Sequence, residues 1–182
     1  QFVLGTAVVH YYIENDTKIA GMLLIPESRS SEAILDKDCR IEPLVQVKIQ
    51  GDDYPVGFSH GHSMRNSETV FRFKYDGQQV LEENDSKTIV TVLKDDRGLA
   101  IEHHLTWYDG YSAFEACSVF RNSSQEPVCL EMLSSFAMGE ITPFEPDDAP
   151  GALILHRLRS AWSAEGRLES RTVEELELEP AW

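Results

Sequence analysis

The sequence has little positive charge and no long apolar segment. Only 16 of its 182 residues are Lys or Arg, against 31 Asp or Glu, which gives a formal net charge of −15. A nucleic-acid duplex or an anionic membrane face would repel such a chain, because both attract clustered Lys and Arg. No apolar run approaches the roughly 20 residues that a membrane-spanning helix needs. We therefore expect neither nucleic acid nor a membrane as a partner.

Cysteine is scarce as well. The three cysteines, Cys39, Cys117 and Cys129, are too few for a disulfide framework and odd in number. We expect them to be small apolar fillers in a reducing compartment, so the predicted localisation is cytoplasmic. The chain opens at Gln1, not at Met, and no apolar leader follows. This start suggests an excised or processed piece of a longer protein.

The common catalytic motifs are missing too. There is no Gly-x-Ser-x-Gly nucleophile elbow, no phosphate-cradling glycine loop and no His-Glu-x-x-His zinc helix. His60 and His62 form a His-x-His pair that can supply two metal ligands, but a metal site needs three or four. No acidic or Cys partner lies at a telling spacing, so we expect no metal and no other cofactor. The two histidines are interpreted as polar loop or substrate contacts.

What the sequence does contain is a period-two pattern. Polar and apolar residues alternate over three segments, as is typical of half-buried strands: 45–49, 71–75 and 99–107. Four more segments are apolar on both faces and predict strands covered on two sides: 7–13, 19–25, 89–93 and 113–120.

Turn signals complete the fold prediction. Gly-containing pairs between the candidate strands predict tight turns at Asp76-Gly77, Arg97-Gly98 and Asp109-Gly110. No stretch before residue 160 carries a convincing helical stripe. Short strands at regular spacing indicate an all-β fold, an antiparallel β-sandwich. With no internal repeat and no clear boundary, residues 1–182 are predicted to form a single domain.

Residues 155–170 place Trp162 among arginines in an otherwise acidic chain. A Trp face can stack on the apolar face of a sugar, while Arg forks donate to hydroxyls or pair with carboxylates. The alternative is a core Trp, with the arginines neutralising nearby Glu side chains. The residues alone favour neither interpretation. The glutamates that follow are interpreted as a solvated strand face: Glu165, Glu169, Glu174, Glu175, Glu177 and Glu179.

This segment resembles the N-terminal region of the glycoside hydrolase family 36 α-galactosidases. The likeness is carried by 151–156, by Arg159-Ser160-Ala161-Trp162-Ser163-Ala164-Glu165-Gly166-Arg167 and by 171–173. An opening strand with paired tyrosines, Tyr11 and Tyr12, is similar as well, and so is Tyr54-Pro55 before a polar, Arg-containing loop. The resemblance extends over nearly the whole chain.

The resemblance implies a galactose-mutarotase-like supersandwich. In that family the supersandwich precedes a (β/α)8 barrel, whose two Asp residues cleave α-galactosides with retention of configuration. Neither Asp has a counterpart here, so the chain is expected to be a non-catalytic fragment that lacks the catalytic barrel. The implied partners are an α-galactoside or related sugar, the barrel domain and further copies in a homo-oligomer.

The resemblance also implies substrate contacts, carried over by position. These are His60, His62 and Arg65 in the polar loop, with Trp162 and Arg167 near the end of the sandwich. The family more commonly has an Asp-aromatic-Arg run where this loop reads 61–65 Gly-His-Ser-Met-Arg. Without that Asp, an α-linked N-acetylgalactosamine stays an alternative to galactose.

Two other functional classes stay open. One is an independent carbohydrate-binding module. The other is a mutarotase-like epimerase, which would need a His and a carboxylate converging in a concave face. His103 and Glu102 cannot supply that pair, because neighbours on a strand point to opposite faces.

Overall fold

The chain is an all-β antiparallel sandwich, as predicted, in a computed structural model that describes residues 1–35, 42–54, 65–139, 141–145, 150–163 and 165–178. Its described strands and helix, in chain order, are β1 (Phe2–Leu4), β2 (Ala7–Ile13), β3 (Ala20–Pro26), β4 (Val47–Ile49), α1 (Glu68–Arg72), β5 (Lys74–Glu83), β6 (Ser86–Lys94), β7 (Leu99–Tyr108), β8 (Phe114–Asn122), β9 (Leu130–Leu133), β10 (Ile154–Arg159) and β11 (Arg167–Thr172).

The described strands form four antiparallel groups. The orders are β1-β2-β3, β5-β6-β7-β8, β4-β9 and β10-β11. Strands β5 to β8 are joined by successive hairpins, so each strand pairs with the one before it in the chain. The Arg97-Gly98 and Asp109-Gly110 turns fall between strands as expected, and Gly98 takes the positive φ of +89° that favours glycine.

One apolar core joins the first three groups. Val9 and Met22 from the three-stranded sheet, Val47 from β4, and Ile89 and Ile101 from the four-stranded sheet all belong to it. Burial on both faces is confirmed for most of β3 and for the middle of β6. The inner faces of two sheets thus supply the core, as in other sandwiches.

The region before β5 differs from the strand predicted over 71–75. Its first residues belong to α1, which Ser67 caps: the Ser67 Oγ accepts from the Val70 N–H at 3.4 Å and donates to the Val47 carbonyl at 2.7 Å. No helix of the described part of the chain is long and apolar enough to cross a membrane.

The turn predicted at Asp76-Gly77 is also wrong. Both residues lie inside β5, where the pairing with β6 shifts register between Tyr75 and Gly77. A glycine inside a strand often marks such a bulge, so the same residue type that favours a turn accommodates an irregularity here. The hairpin instead closes between Glu83 and Ser86.

Two further predictions, one for β8 and one for the cysteines, are wrong. Covering on both faces was expected for 113–120, but burial alternates along the first half of β8, with Glu115 and Cys117 exposed. Cys117 and Cys129 are free and exposed, so they are not apolar fillers. Cys39 lies outside the described residues.

Candidate functional site

The β10-β11 hairpin carries a concentration of arginines on one side. Directly opposite residues of a strand pair share a face, and the register pairs Arg157 with Glu169 and Arg159 with Arg167. Arg171 lies two residues beyond Glu169 and therefore on the same face. We call these five residues, Arg157, Arg159, Arg167, Glu169 and Arg171, the arginine face.

Glu169 organises the arginine face. Its carboxylate accepts from the Arg157 Nε and, at 3.0 Å, from the Arg159 Nη1, while the Arg171 Nε lies 3.3 Å from its other oxygen. The hydrogen bonds from Arg157 and then Arg159 lower the pKa of Glu169 to about 2. Glu169 is therefore ionised near neutral pH and is a fixed anion among guanidinium groups, which corrects its interpretation as a merely solvated acid.

Arg167 is placed differently from the other arginines. It forms no hydrogen bond or ion pair with the described residues, and it lies directly opposite Arg159. Like charges in directly opposite positions repel each other. A pocket of about 380 Å³ opens here, lined by Arg159, Arg167, Leu168, Glu169 and Arg171.

Trp162 lies in the connection between β10 and β11 and is 92% exposed. The Gly166 N–H donates to the Arg159 carbonyl at 2.9 Å, and both Ser163 and Gly166 adopt positive φ. This geometry closes the hairpin and presents the indole to solvent. The alternative interpretation of Trp162 as a core residue is therefore wrong.

The other side of the hairpin is more apolar. Leu158 and Leu168 face each other across the strands and are 70% and 62% exposed. Beside them the His156 Nδ1 lies 2.8 Å from the Ser170 Oγ. The hairpin thus has a cationic face, an apolar face and an exposed Trp at its end.

The other predicted contacts do not join this group within the described residues. Arg65 follows the polar loop, and its Nη2 donates to the Glu42 Oε2 at 2.7 Å. The adjacent Asn66 is bonded to Gln46, which positions this region beside β4. His60 and His62 lie outside the described residues. Trp162 and Arg167 share one hairpin, while Arg65 is paired elsewhere.

Of the arginine face, only Arg167 was predicted from the sequence as a contact. Arg157, Arg159, Glu169 and Arg171 were not predicted as contacts. The sequence could have indicated part of this cluster, because residues two apart on a strand share a face. That rule groups Arg157 with Arg159, and Arg167 with Glu169 and Arg171. Joining the two groups required the register of the hairpin, which the residue types do not specify.

A second polar feature lies inside the sandwich. Gln78, Thr91, His103 and Ser118 occupy matched positions across β5, β6, β7 and β8. The Gln78 Nε2 donates to the Thr91 Oγ1 at 2.8 Å, but neither ring nitrogen of His103 has a partner, although this residue is fully buried. Burial, with a contribution from His104, lowers the pKa of His103 to about 4.

The arrangement around His103 does not form an epimerase site. Glu102 lies on the opposite face of β7, where its carboxylate accepts from the Arg121 Nε at 2.7 Å. The pair diverges as the sequence predicted. Among the residues that the structure describes, no group of three or more His, Cys, Asp or Glu side chains could hold a metal ion.

Comparisons with known proteins found no relative of this chain. No family model matches the chain, and no curated protein and no solved structure matches it significantly. The function proposed below therefore depends on the fold, on the hairpin and on the resemblance of the residues quoted above.

Proposed function

We propose that this chain is a non-catalytic β-sandwich region of a retaining α-galactosidase-like glycoside hydrolase. It contributes loops to the substrate site and takes part in the assembly of a homo-oligomer. The catalytic carboxylates belong to a (β/α)8 barrel domain, and the protein is cytoplasmic. The resemblance around Trp162 and the all-β architecture support this proposal.

The observation that carries the proposal is the exposure of Trp162 in the loop that joins β10 to β11. An indole with 92% exposure is costly to leave in water, whereas it can stack on the C–H face of a hexose. Arg167, at the start of β11, lies close in sequence to the indole and has guanidinium donors available for sugar hydroxyls. Trp162 and Arg167 are the proposed sugar contacts, and His60, His62 and Arg65 are further candidates.

The catalytic part of the proposal is tested by incubating the 182-residue chain with an aryl α-galactoside. We expect release of the aryl group at the background rate, because the chain carries none of the strand-end Asp motifs of the family. Turnover well above background would contradict the non-catalytic assignment.

The binding part is tested by titrating galactose and N-acetylgalactosamine while following the Trp162 indole N–H by NMR. One aromatic ring and one or two arginines must offset at least about 4 kcal/mol of association entropy. We therefore expect a dissociation constant weaker than about 1 mM for the better sugar. The ratio of the two affinities distinguishes a galactoside from an acetamido sugar as substrate.

A matched control is available in the connection between β7 and β8. Tyr111 is 69% exposed and lies far along the chain from the hairpin. The response is then read from the Gly166 backbone N–H, which lies in the same loop and is present in every variant. Trp162→Ala should abolish this response, and Tyr111→Ala should leave it unchanged. Loss of the response in the Tyr111 variant instead would move the sugar site away from the hairpin.

The second candidate is an independent carbohydrate-binding module. It is favoured because one hairpin carries both an exposed Trp and available Arg donors. The two strands of this hairpin pair with each other, so no other domain is needed to form it. The affinity separates the two candidates. Micromolar binding by the isolated chain would favour the module, because a contributing loop completed by another domain has no need of such strength.

A further inference from the structure

We propose that the arginine face is an oxyanion-binding site, with a phosphate or sulfate group held between Arg159 and Arg167. The ligand is a tetrahedral oxyanion, either free or as the monoester of a small molecule. This proposal does not rest on the glycosidase proposal, since it concerns the charge and geometry of the hairpin alone.

The charge of the face is unusual for this chain. Four arginines and one glutamate give the arginine face a net charge of +3, whereas the whole chain has a formal net charge of −15. The cationic face thus belongs to a chain that is acidic overall, so it is not part of a generally basic protein. A compact dianion matches this local charge better than a single carboxylate does.

Three of the four arginines are held in place before any ligand arrives. Glu169 has a side chain that is only 18% exposed, and it holds Arg157, Arg159 and Arg171 by ion pairs. Each guanidinium has five N–H donors, and the two oxygens of one carboxylate cannot satisfy the donors of three arginines. The remaining donors are available to a second anion, and their orientation costs little additional entropy.

The Arg159–Arg167 pair marks the position of the oxyanion. These two cations lie directly opposite each other, and Arg167 has no partner among the described residues. An anion between them converts their repulsion into two attractive contacts, and planar guanidinium forks match phosphate geometry well. The pocket of about 380 Å³ is open at this point and is lined by both side chains and by Arg171.

Two acids that follow β11 are engaged away from this position. The Glu174 Oε1 accepts the Gly151 N–H at 2.8 Å, and the Glu175 Oε2 accepts the Thr172 N–H at 3.1 Å. Both carboxylates are thus engaged with backbone at the other end of the hairpin. Trp162, in the connecting loop, is a natural NMR reporter close in sequence to the Arg159–Arg167 pair.

The experiment titrates the intact chain with inorganic phosphate, with sulfate and with galactose 6-phosphate, and NaCl holds the ionic strength constant. The readouts are the arginine Nε–Hε signals and the Trp162 indole signal. We expect saturable shifts confined to the arginine face and its connecting loop. Arg167→Gln and Arg159→Gln should each weaken binding about tenfold, as expected for loss of a charge-assisted partner.

Arg121→Gln is the matched control. It removes the same charge from an exposed arginine on β8, whose partner is Glu102, and it should change the affinity by less than about twofold. The hairpin is exposed, so the Gln variants should retain the dispersed spectrum of the folded chain. An equal loss in the Arg121 variant, or shifts reproduced by NaCl alone, would overturn the proposal.

The probes also separate the sources of the oxyanion. Tighter binding of galactose 6-phosphate than of inorganic phosphate supports a phosphomonoester ligand, and equal binding supports the free anion. Neutral galactose should not produce the saturable shift of the Arg159 Nε–Hε signal that phosphate produces. Failure of every oxyanion would overturn this site and leave the galactose titration of the proposed function unaffected.

Discussion

The sandwich and the β10-β11 hairpin obey different physical rules. In the sandwich, central strands such as β6 and β7 bury one face almost completely, and Ile89 and Ile101 have no solvent exposure. In the hairpin every residue of β10 is exposed, and the side chains are joined mainly by ion pairs. The comparison shows that one chain can separate a part that stabilises the fold from a part that presents polar groups.

The energies of the two regions differ accordingly. Burial of apolar surface contributes about 25 cal/mol per Å², so a fully buried side chain contributes about 2 kcal/mol. Exposed ion pairs contribute only about 0 to 1 kcal/mol each. We therefore expect substitutions in the sandwich to change the free energy of unfolding, and those in the hairpin to change binding.

The largest expected contrast compares two apolar truncations. Ile101→Ala leaves a cavity at a fully buried position of β7 and should lower the free energy of unfolding by about 2 to 5 kcal/mol. Leu158→Ala removes a side chain that is 70% exposed and should change it by less than about 0.5 kcal/mol. Urea unfolding followed by circular dichroism measures both. Comparable losses would show that the hairpin is part of the stabilising core.

The next prediction compares how a buried and an exposed histidine affect the stability of the chain in acid. Because the pKa of His103 is about 4 in the folded chain and about 6.5 when unfolded, the unfolded state takes up the proton first. Stability that depends on His103 is therefore complete above about pH 6.5 and is lost as the pH falls towards 4, by about 3 kcal/mol. His103→Leu should reduce the loss of stability between pH 7 and pH 4 by that amount.

The control for His103 lies in the hairpin. His156 is exposed on β10, and His156→Gln should retain the pH dependence of the original chain. Urea unfolding at several pH values gives, for each variant, the change in the free energy of unfolding with pH. If the His103 variant kept the original slope, the acid sensitivity would belong to other groups, and His103 would not be buried in its neutral form.

A smaller effect is expected where the first hairpin meets β7. Gly5 has a φ of +60°, and a Cβ there would lie 2.8 Å from the Trp107 Nε1. That ring is held by its hydrogen bond to the Tyr111 carbonyl at 2.8 Å. Gly5→Ala should therefore lower the free energy of unfolding by about 2 kcal/mol, through backbone strain and overlap together.

Gly110→Ala separates these two causes. Gly110 has a φ of +78°, but nothing lies within 4 Å of its Cβ position. We expect only the backbone cost, about 1 kcal/mol. Equal losses in the two variants would mean that the contact with Trp107 adds nothing.

The strands of the sandwich were predictable because burial imposes alternation on the sequence. The pattern over 99–107 matches β7 to within one residue. Local signals failed where two structures compete for the same residues. Asp76-Gly77 suits a turn, but it lies within β5, and α1 is too short to produce a helical stripe, although Ser67 is a typical cap residue.

The candidate site was less predictable for a different reason. Trp162 is equally suited to a core and to a sugar surface, so its residue type cannot decide between them. The arginine face depends on pairing across a connecting loop, and a shift of one residue would send Arg159 and Arg167 to opposite faces. Exposure and register are properties of the folded chain, and local sequence patterns constrain them only weakly.

A second substitution that should hardly change stability gives the sharpest test of the comparison between the sandwich and the hairpin. Trp162→Ala deletes the largest side chain of the hairpin, yet 92% of that residue is exposed, so the free energy of unfolding should change by less than about 0.5 kcal/mol. In a core, the same substitution costs about 3 to 5 kcal/mol. A large loss in urea would therefore mean that the indole is buried against something in solution. An unchanged midpoint with a lost sugar response would assign Trp162 to recognition alone.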